Sequence, residues 1–122
     1  MPNIDRWFLR IAVVYGLVAM ILGIVMGISE DHSQAPTHAH LNLVGWVSMA
    51  LYALVYRLYP AAAQSRLAPA HFWVANVGAV LLTLGVYTLM AGMQSLMFVV
   101  ISGSLITILG MLIFAAIVYT KV

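Results

Sequence analysis

Apolar residues fall into four long runs along the chain, separated by short polar segments. Each run approaches or exceeds the roughly 20 residues that a helix needs to cross the hydrocarbon core of a membrane. Lipid offers no hydrogen-bond partners, so the backbone groups of such runs must pair within their own segments, as they do in helices. The pattern therefore predicts an all-α integral membrane four-helix bundle. Its helices are expected at about residues 8–28, 37–58, 70–91 and 95–120, in a single transmembrane domain over residues 1–122.

Composition supports a membrane protein. Hydrophobic residues make up 65% of the 122 positions and charged residues only 7%, which is too few charges for the surface of a soluble domain. The lipid bilayer is therefore the first expected partner. The chain has no cysteine, which excludes disulfides, thiolate metal sites and covalently attached c-type haem. The few bases lie in flanks and loops, where they report orientation and not nucleic-acid binding.

The basic residues predict the orientation. Four crossings place all five of them on one side of the membrane, and by the positive-inside rule that side is the cytoplasm. Both termini are then cytoplasmic, and the loop with Glu30 and Asp31 faces the other side, as in a multi-pass protein of the bacterial inner membrane with a periplasmic loop. The five bases are Arg6, Arg10, Arg57, Arg66 and Lys121.

Three of the four histidines, His32, His38 and His40, lie within nine residues at the start of the second run. At about 100° per residue, His38 and His40 point some 200° apart on a helix. His38 shares a face with Asn42, and His40 leads an aliphatic face that begins with Val44. Imidazole is the commonest metal ligand, so three histidines this close together favour metal or haem binding. The alternative is that these histidines only pack and hydrogen-bond at the membrane surface.

Three methionines, Met90, Met93 and Met97, cluster at the turn between the third and fourth runs, on the same side as those histidines. Thioether and imidazole together suit Cu(I), and methionine with histidine also suits haem iron. A periplasm-facing copper site is therefore an alternative to haem. Methionine is also an ordinary gap-filling residue of apolar helices.

The fourth histidine, His71, begins the third run in the stretch PAHFW. Its end of the helix lies at the opposite bilayer face from His38 and His40, roughly 25 to 30 Å away at 1.5 Å per residue. We expect His71 to lie in the aromatic belt with Trp73, or to be a separate cytoplasmic-side ligand candidate. Asn76 is a candidate for a hydrogen bond between helices.

Several function classes lack their residues. The chain offers no Ser-His-Asp set, no phosphate-binding loop and no carboxylate inside a predicted span. Hydrolysis is therefore not expected. A proton-coupled transporter is not expected either, because it would normally need an intramembrane acid.

Two segments resemble haem-copper oxidase and nitric oxide reductase catalytic subunits of the C-type branch. The segment HAHLNLVGWVSMALYALVYRLYP is similar to their second helix, which opens with His-x-Asn and whose histidine ligates the low-spin haem b. The segment HFWVANVGAVLLTLGVYTLMAGM is similar to a late helix that begins His-Phe-Trp. Matching His-x-Asn selects His40 with Asn42, whereas the later Gly and Tyr spacing selects His38. The family's subunit has many more helices and further ligands, so the resemblance implies haem and not turnover.

The resulting hypothesis is a small haem b-binding membrane protein that transfers electrons or binds a diatomic gas such as O2 or NO. Whether it is an enzyme is left open. His40, with His38 as the alternative, would be an axial ligand, with Asn42 beside it. The second ligand would come from His32, Met90, Met93 or Met97, or from another copy in a homo-oligomer. A redox protein or a quinone is an expected partner. A non-catalytic accessory or scaffold subunit is the third alternative.

Overall fold

The computed structural model describes residues 1–122 and contains four long helices and no strand. Each is long and apolar enough to cross a membrane, which confirms the predicted all-α four-helix architecture of a multi-pass membrane protein. Two short turns of helix, Pro60–Ala63 and Gln94–Leu96, lie in the connections. The long helices are α1 (Ile4–Ser29), α2 (Ala35–Leu58), α3 (Ala68–Met90) and α4 (Met97–Lys121).

Helix ends follow local chemistry. The first helix begins at Ile4, four residues before the predicted start, because Asp5 in its first turn interacts favourably with the helix dipole. Pro69 stands in the first turn of α3, where its missing N–H costs nothing. At the end of α3, Gly92 adopts a left-handed backbone with φ 78°. That conformation allows the short connection into α4 that the sequence predicts.

The second helix is not a regular α-helix. Residues Leu41–Val47 form π-helical turns between two α-helical segments, and the N–H and hydroxyl of Ser48 both donate to the carbonyl of Leu43. An α-helix turns about 40° past a full revolution every four residues, so a four-residue repeat would drift around it. The wider π turns remove that drift. Five buried residues four apart therefore share one side of α2: Thr37, Leu41, Gly45, Met49 and Ala53.

The helices pack as two hairpins. Between α3 and α4, glycines bring the backbones into direct contact: a Cβ on Gly78 would lie 2.8 Å from the Thr107 nitrogen, and Gly103 lies even more tightly against Leu82. Between α1 and α2, the glycines instead lie against aromatic rings of the facing helix. Gly16 lies under the Trp46 indole, and Gly45 lies under the Tyr15 ring. Small residues at such crossings are how membrane helices gain close packing.

The two ends of the bundle differ. At one end an ion pair joins Asp5 to Arg57, so the start of α1 meets the end of α2. At the other, the Gln34 side chain donates to the Tyr87 carbonyl at 3.3 Å, so the start of α2 meets the end of α3. We call the first the basic end, because both termini and all five lysines and arginines lie there or within three turns of it. The second, with residues 30–40 and 91–97, is the far end.

Candidate histidine site

His38 docks against α1. Its Nδ1 lies 2.8 Å from the carbonyl oxygen of Ala19, and a carbonyl can only accept, so Nδ1 carries the proton and donates it. The ring fits above Gly23, where an added Cβ would lie only 2.9 Å from Cε1 of His38. Gly23 therefore makes room for the imidazole on the surface of α1.

The second nitrogen of His38 is also paired. Its Nε2 lies 3.2 Å from Nδ2 of Asn42, one turn later. With the proton on Nδ1, Nε2 holds a lone pair that accepts from the Asn42 amide. Both ring nitrogens of His38 are thus hydrogen-bonded, and the side chain lies at a helix interface. Metal coordination at Nε2 would first require the amide of Asn42 to move away.

His40 is held differently. Its Nδ1 donates to the carbonyl of Pro36 at 2.7 Å, one turn back on the same helix. No hydrogen bond reaches Nε2, and the ring is half-buried. Donation from one ring nitrogen to a backbone carbonyl is the usual way in which a metal-binding histidine is oriented, with its other nitrogen free for the metal. Of the aliphatic residues predicted to share a face with His40, Val47, Leu51 and Leu54 are exposed on the surface of α2, whereas Val44 is half-buried and packs against the core.

The other far-end candidates lie on exposed surface. His32 sits in the connection before α2, and its Nδ1 contacts the Glu30 carbonyl at 3.2 Å. The predicted methionine cluster lies around the α3–α4 turn, with its members 36% to 46% exposed: Met90, Met93 and Met97. No three histidine, aspartate or glutamate side chains come together in a group that could hold a metal ion. The three far-end histidines therefore do not form a joint site within one chain.

The connection before α2 has one acid with a shifted pKa. The Ser33 backbone N–H donates to Oδ1 of Asp31 at 3.0 Å. This bond, then one from the Ser33 side chain and the nearby charge of His32, lower the pKa of Asp31 below its usual value. The carboxylate is therefore firmly ionised above acidic pH, and it holds the connection in a turn.

The expected position of His71 in the aromatic belt beside Trp73 is wrong. His71 is 0% exposed, whereas Trp73 is 64% exposed. An α3 residue at this height can face inward as well as lipid, and two steps along the chain, about 200° around a helix, separate His71 from Trp73. The inward position was missed because belt statistics carry no information about which side of a helix a residue occupies.

Aromatic rings from all the other helices enclose His71. Its Nδ1 lies 2.8 Å from the Tyr56 hydroxyl, and its Nε2 is buried with no hydrogen-bond partner. The arrangement fits the tautomer in which Tyr56 donates to Nδ1 and the N–H at Nε2 faces a ring. The enclosing rings, with centroids 4.5 to 5.8 Å from that of His71, belong to Phe8, Tyr52, Tyr56 and Phe114.

A second polar contact joins α1 to α3 midway along the bundle. The Tyr15 hydroxyl donates to Oδ1 of Asn76 at 3.2 Å, and Nδ2 of Asn76 donates to the Phe72 carbonyl at 2.8 Å. The expected interhelical role of Asn76 is confirmed. Its partner Tyr15 is not identifiable from the sequence, because a tyrosine in an apolar run gives no sign of the helix that it faces.

Comparison with known proteins finds no matching family model, no similar curated protein and no similar solved structure. The resemblance to haem-copper oxidase subunits therefore stays a prediction. The geometry of the far-end histidines is the remaining guide to function. It separates His38, with both nitrogens paired, from His40, with one nitrogen free.

Proposed function

We propose that this protein binds haem b at its far end, with His40 as an axial ligand, and that it transfers electrons or binds O2 or NO. The observation that carries the proposal is the hydrogen bond from Nδ1 of His40 to the Pro36 carbonyl, which leaves Nε2 unpaired. A neutral imidazole held in this way is a ready ligand for iron. The orientation from the positive-inside rule would place the haem on the periplasmic side of a bacterial inner membrane.

The surface beside His40 suits a flat apolar cofactor. The neighbouring side of α2 carries the exposed side chains of Leu43, Val47 and Leu51, which run from the start of the helix toward the membrane interior. A haem there would bury its ring system against aliphatic groups while its propionates stay near the polar connection. Asn42 hydrogen-bonds to His38 and not to His40, so its proposed part is to hold the packed histidine in place.

The second axial ligand is proposed to come from another copy of the chain. His40 leads the second helix at the far end, where a second copy could approach it, and closed symmetric dimers are the commonest oligomers. Two copies facing across α2 could each supply His40 to one haem. A copper site would instead combine His32, His38 or His40 with thioethers of the exposed Met90, Met93 and Met97, and it stays the alternative to haem.

The test is optical. Purified protein, reconstituted with haem, should show a Soret band, and the His40→Ala variant should lose it. His38→Ala is the matched control, two residues away on the same turn, and should keep haem if it remains folded by circular dichroism. Copper and iron analysis of the same preparations distinguishes the two cofactors. Absence of a Soret band in the unmodified protein after haem addition would refute the proposal.

Carbon monoxide separates the two roles. If a second copy supplies the sixth ligand, the reduced protein should show one haem per two chains and no spectral change with CO, as expected for electron transfer. A CO-induced shift of the Soret band would indicate an open position and favour gas binding.

A packing role is the second candidate function. It is favoured by His38, whose two nitrogens are both satisfied and whose ring fills the space over Gly23. On this interpretation the chain is an accessory or scaffold subunit whose histidines join helices. Retention of assembly and function after replacement of His32, His38 and His40 by alanine would favour it over any cofactor.

A further inference from the structure

A cavity of about 250 Å³ opens between α1 and α2 at the basic end. Its mouth carries charged side chains, and its deeper part is apolar. Leu9 and Leu54 form the walls, 49% and 56% exposed, and the buried Ala53 forms part of the floor. The charged residues at the mouth are Asp5, Arg6 and Arg57.

The mouth has an excess of positive charge. Nη1 of Arg57 lies 3.6 Å from Oδ2 of Asp5, an ion pair that holds this guanidinium beside the cavity. Arg6 forms no salt bridge. The other two acidic side chains, Glu30 and Asp31, are in the connection at the far end of α1. One acid therefore faces two arginines, and the second arginine has room for an external anion.

The apolar part lies where lipid chains would run. Leu9 follows Arg6 by one turn of α1, and Leu54 precedes Arg57 by one turn of α2, so both leucines lie about 5 Å deeper along the helices than the guanidiniums. The alanine between them leaves space that a larger side chain would fill. The charge at the surface matches a phospholipid headgroup, and the apolar slot below it matches an acyl chain.

We propose that this cavity binds an anionic glycerophospholipid, with its phosphate between Arg6 and Arg57 and one acyl chain against Leu9, Ala53 and Leu54. Arginine forms paired hydrogen bonds with phosphate oxygens, and basic pockets between membrane helices are suited to anionic headgroups. A zwitterionic lipid brings an ammonium group that the two guanidiniums repel. The site is independent of the far-end histidines and of any cofactor.

The experiment is lipid titration of the purified full chain in detergent, followed by native mass spectrometry. Phosphatidylglycerol and phosphatidylcholine with identical acyl chains are the probes. We expect phosphatidylglycerol to bind more tightly, and Arg6→Gln/Arg57→Gln to weaken it about 30-fold, or about fivefold for each arginine. Arg66→Gln/Lys121→Gln is the control, because it removes two charges from the same end outside the cavity.

Two further arms test the lipid chain. Ala53→Leu fills the slot and keeps every charge, so it should weaken phosphatidylglycerol binding, and inorganic phosphate at the same concentration should not compete. If Ala53→Leu fails to fold, the two charge variants still decide. An equal loss in the control pair, equal binding of the two lipids, or full competition by inorganic phosphate would overturn the proposal.

Discussion

His71 and His40 stand at opposite ends of the same bundle, and their surroundings differ in kind. His71 has no exposed surface, lies among aromatic rings from every other helix, and shares a hydrogen bond with Tyr56. His40 is half-buried at the start of α2 and donates to its own helix. The fully buried histidine is held by three other helices, and the one with a free nitrogen is held by a hydrogen bond within its own helix.

Burial and the ability to bind a metal are therefore separate properties of a histidine. At the basic end the His71 imidazole is part of the packed core, since ring contacts from Phe8 and Phe114 hold α1 and α4 against α3. At the far end the ring's position is fixed by one backbone carbonyl. His38 lies between these cases, because it is packed on α1 yet paired through both nitrogens.

The largest expected effect is at the basic end. Replacing His71 by alanine, His71→Ala, empties the space between the aromatic rings and leaves the Tyr56 hydroxyl buried without its partner. We expect the free energy of unfolding in mixed micelles to fall by about 3 kcal/mol. His40→Ala, at the other end, should change it by less than about 0.5 kcal/mol. Comparable losses for the two variants would contradict the difference in packing between His71 and His40.

The architecture was predictable from sequence to a large extent, because the length of an apolar run is a strong constraint in a membrane. The four spans and the short turn between the third and the fourth were expected. The π-helical segment was not, since Leu41–Val47 contains no proline and its turns serve a packing repeat that only the neighbouring helices define. The inward direction of His71 was missed for the same reason.

The candidate site was predictable in part. The sequence concentrates histidines at the start of α2, but it cannot tell a paired nitrogen from a free one. That distinction depends on the Ala19 carbonyl and on the space at Gly23, both in another helix. A signal was present in α1, where Gly16, Ala19 and Gly23 form a run of small residues on one side. This run indicated close packing, but it did not show which side chain packs there.

The second prediction tests the intermediate case, His38. Gly23→Ala should push the ring off the Ala19 carbonyl and lower the free energy of unfolding by about 1 kcal/mol. In a His38→Ala background the same change should be neutral or stabilising, because alanine favours helix and the clash has gone. Gly27→Ala, with nothing within 4 Å of the new Cβ, is the control. An equal cost with and without His38 would show that the glycine serves something else.

The third prediction concerns the bond midway between the two ends. Tyr15→Phe removes the hydroxyl that donates to Asn76 and keeps the ring over Gly45. Interhelical hydrogen bonds in membrane proteins contribute about 0.6 kcal/mol on average, and we expect a loss of that size in the same unfolding assay. Tyr119→Phe removes a hydroxyl from a side chain that is 91% exposed and should have no effect. A loss above about 2 kcal/mol would mean that Tyr15 and Asn76 matter as much as the aromatic enclosure of His71.

The smallest effect should come from the connection before α2. Asp31 accepts the Ser33 N–H, and its pKa is lower than in an unfolded chain. A lowered native pKa means that the carboxylate stabilises the fold above the usual value of 3.8, and that this contribution disappears as the pH falls through the native pKa. Asp31→Asn should therefore lower the melting temperature slightly near neutral pH and not at all once the native carboxyl is protonated. Glu30→Gln, whose side chain makes no hydrogen bond to Ser33, is the control for loss of one charge. A pH-independent difference between wild type and Asp31→Asn would show that the charge of Asp31 does not stabilise this connection.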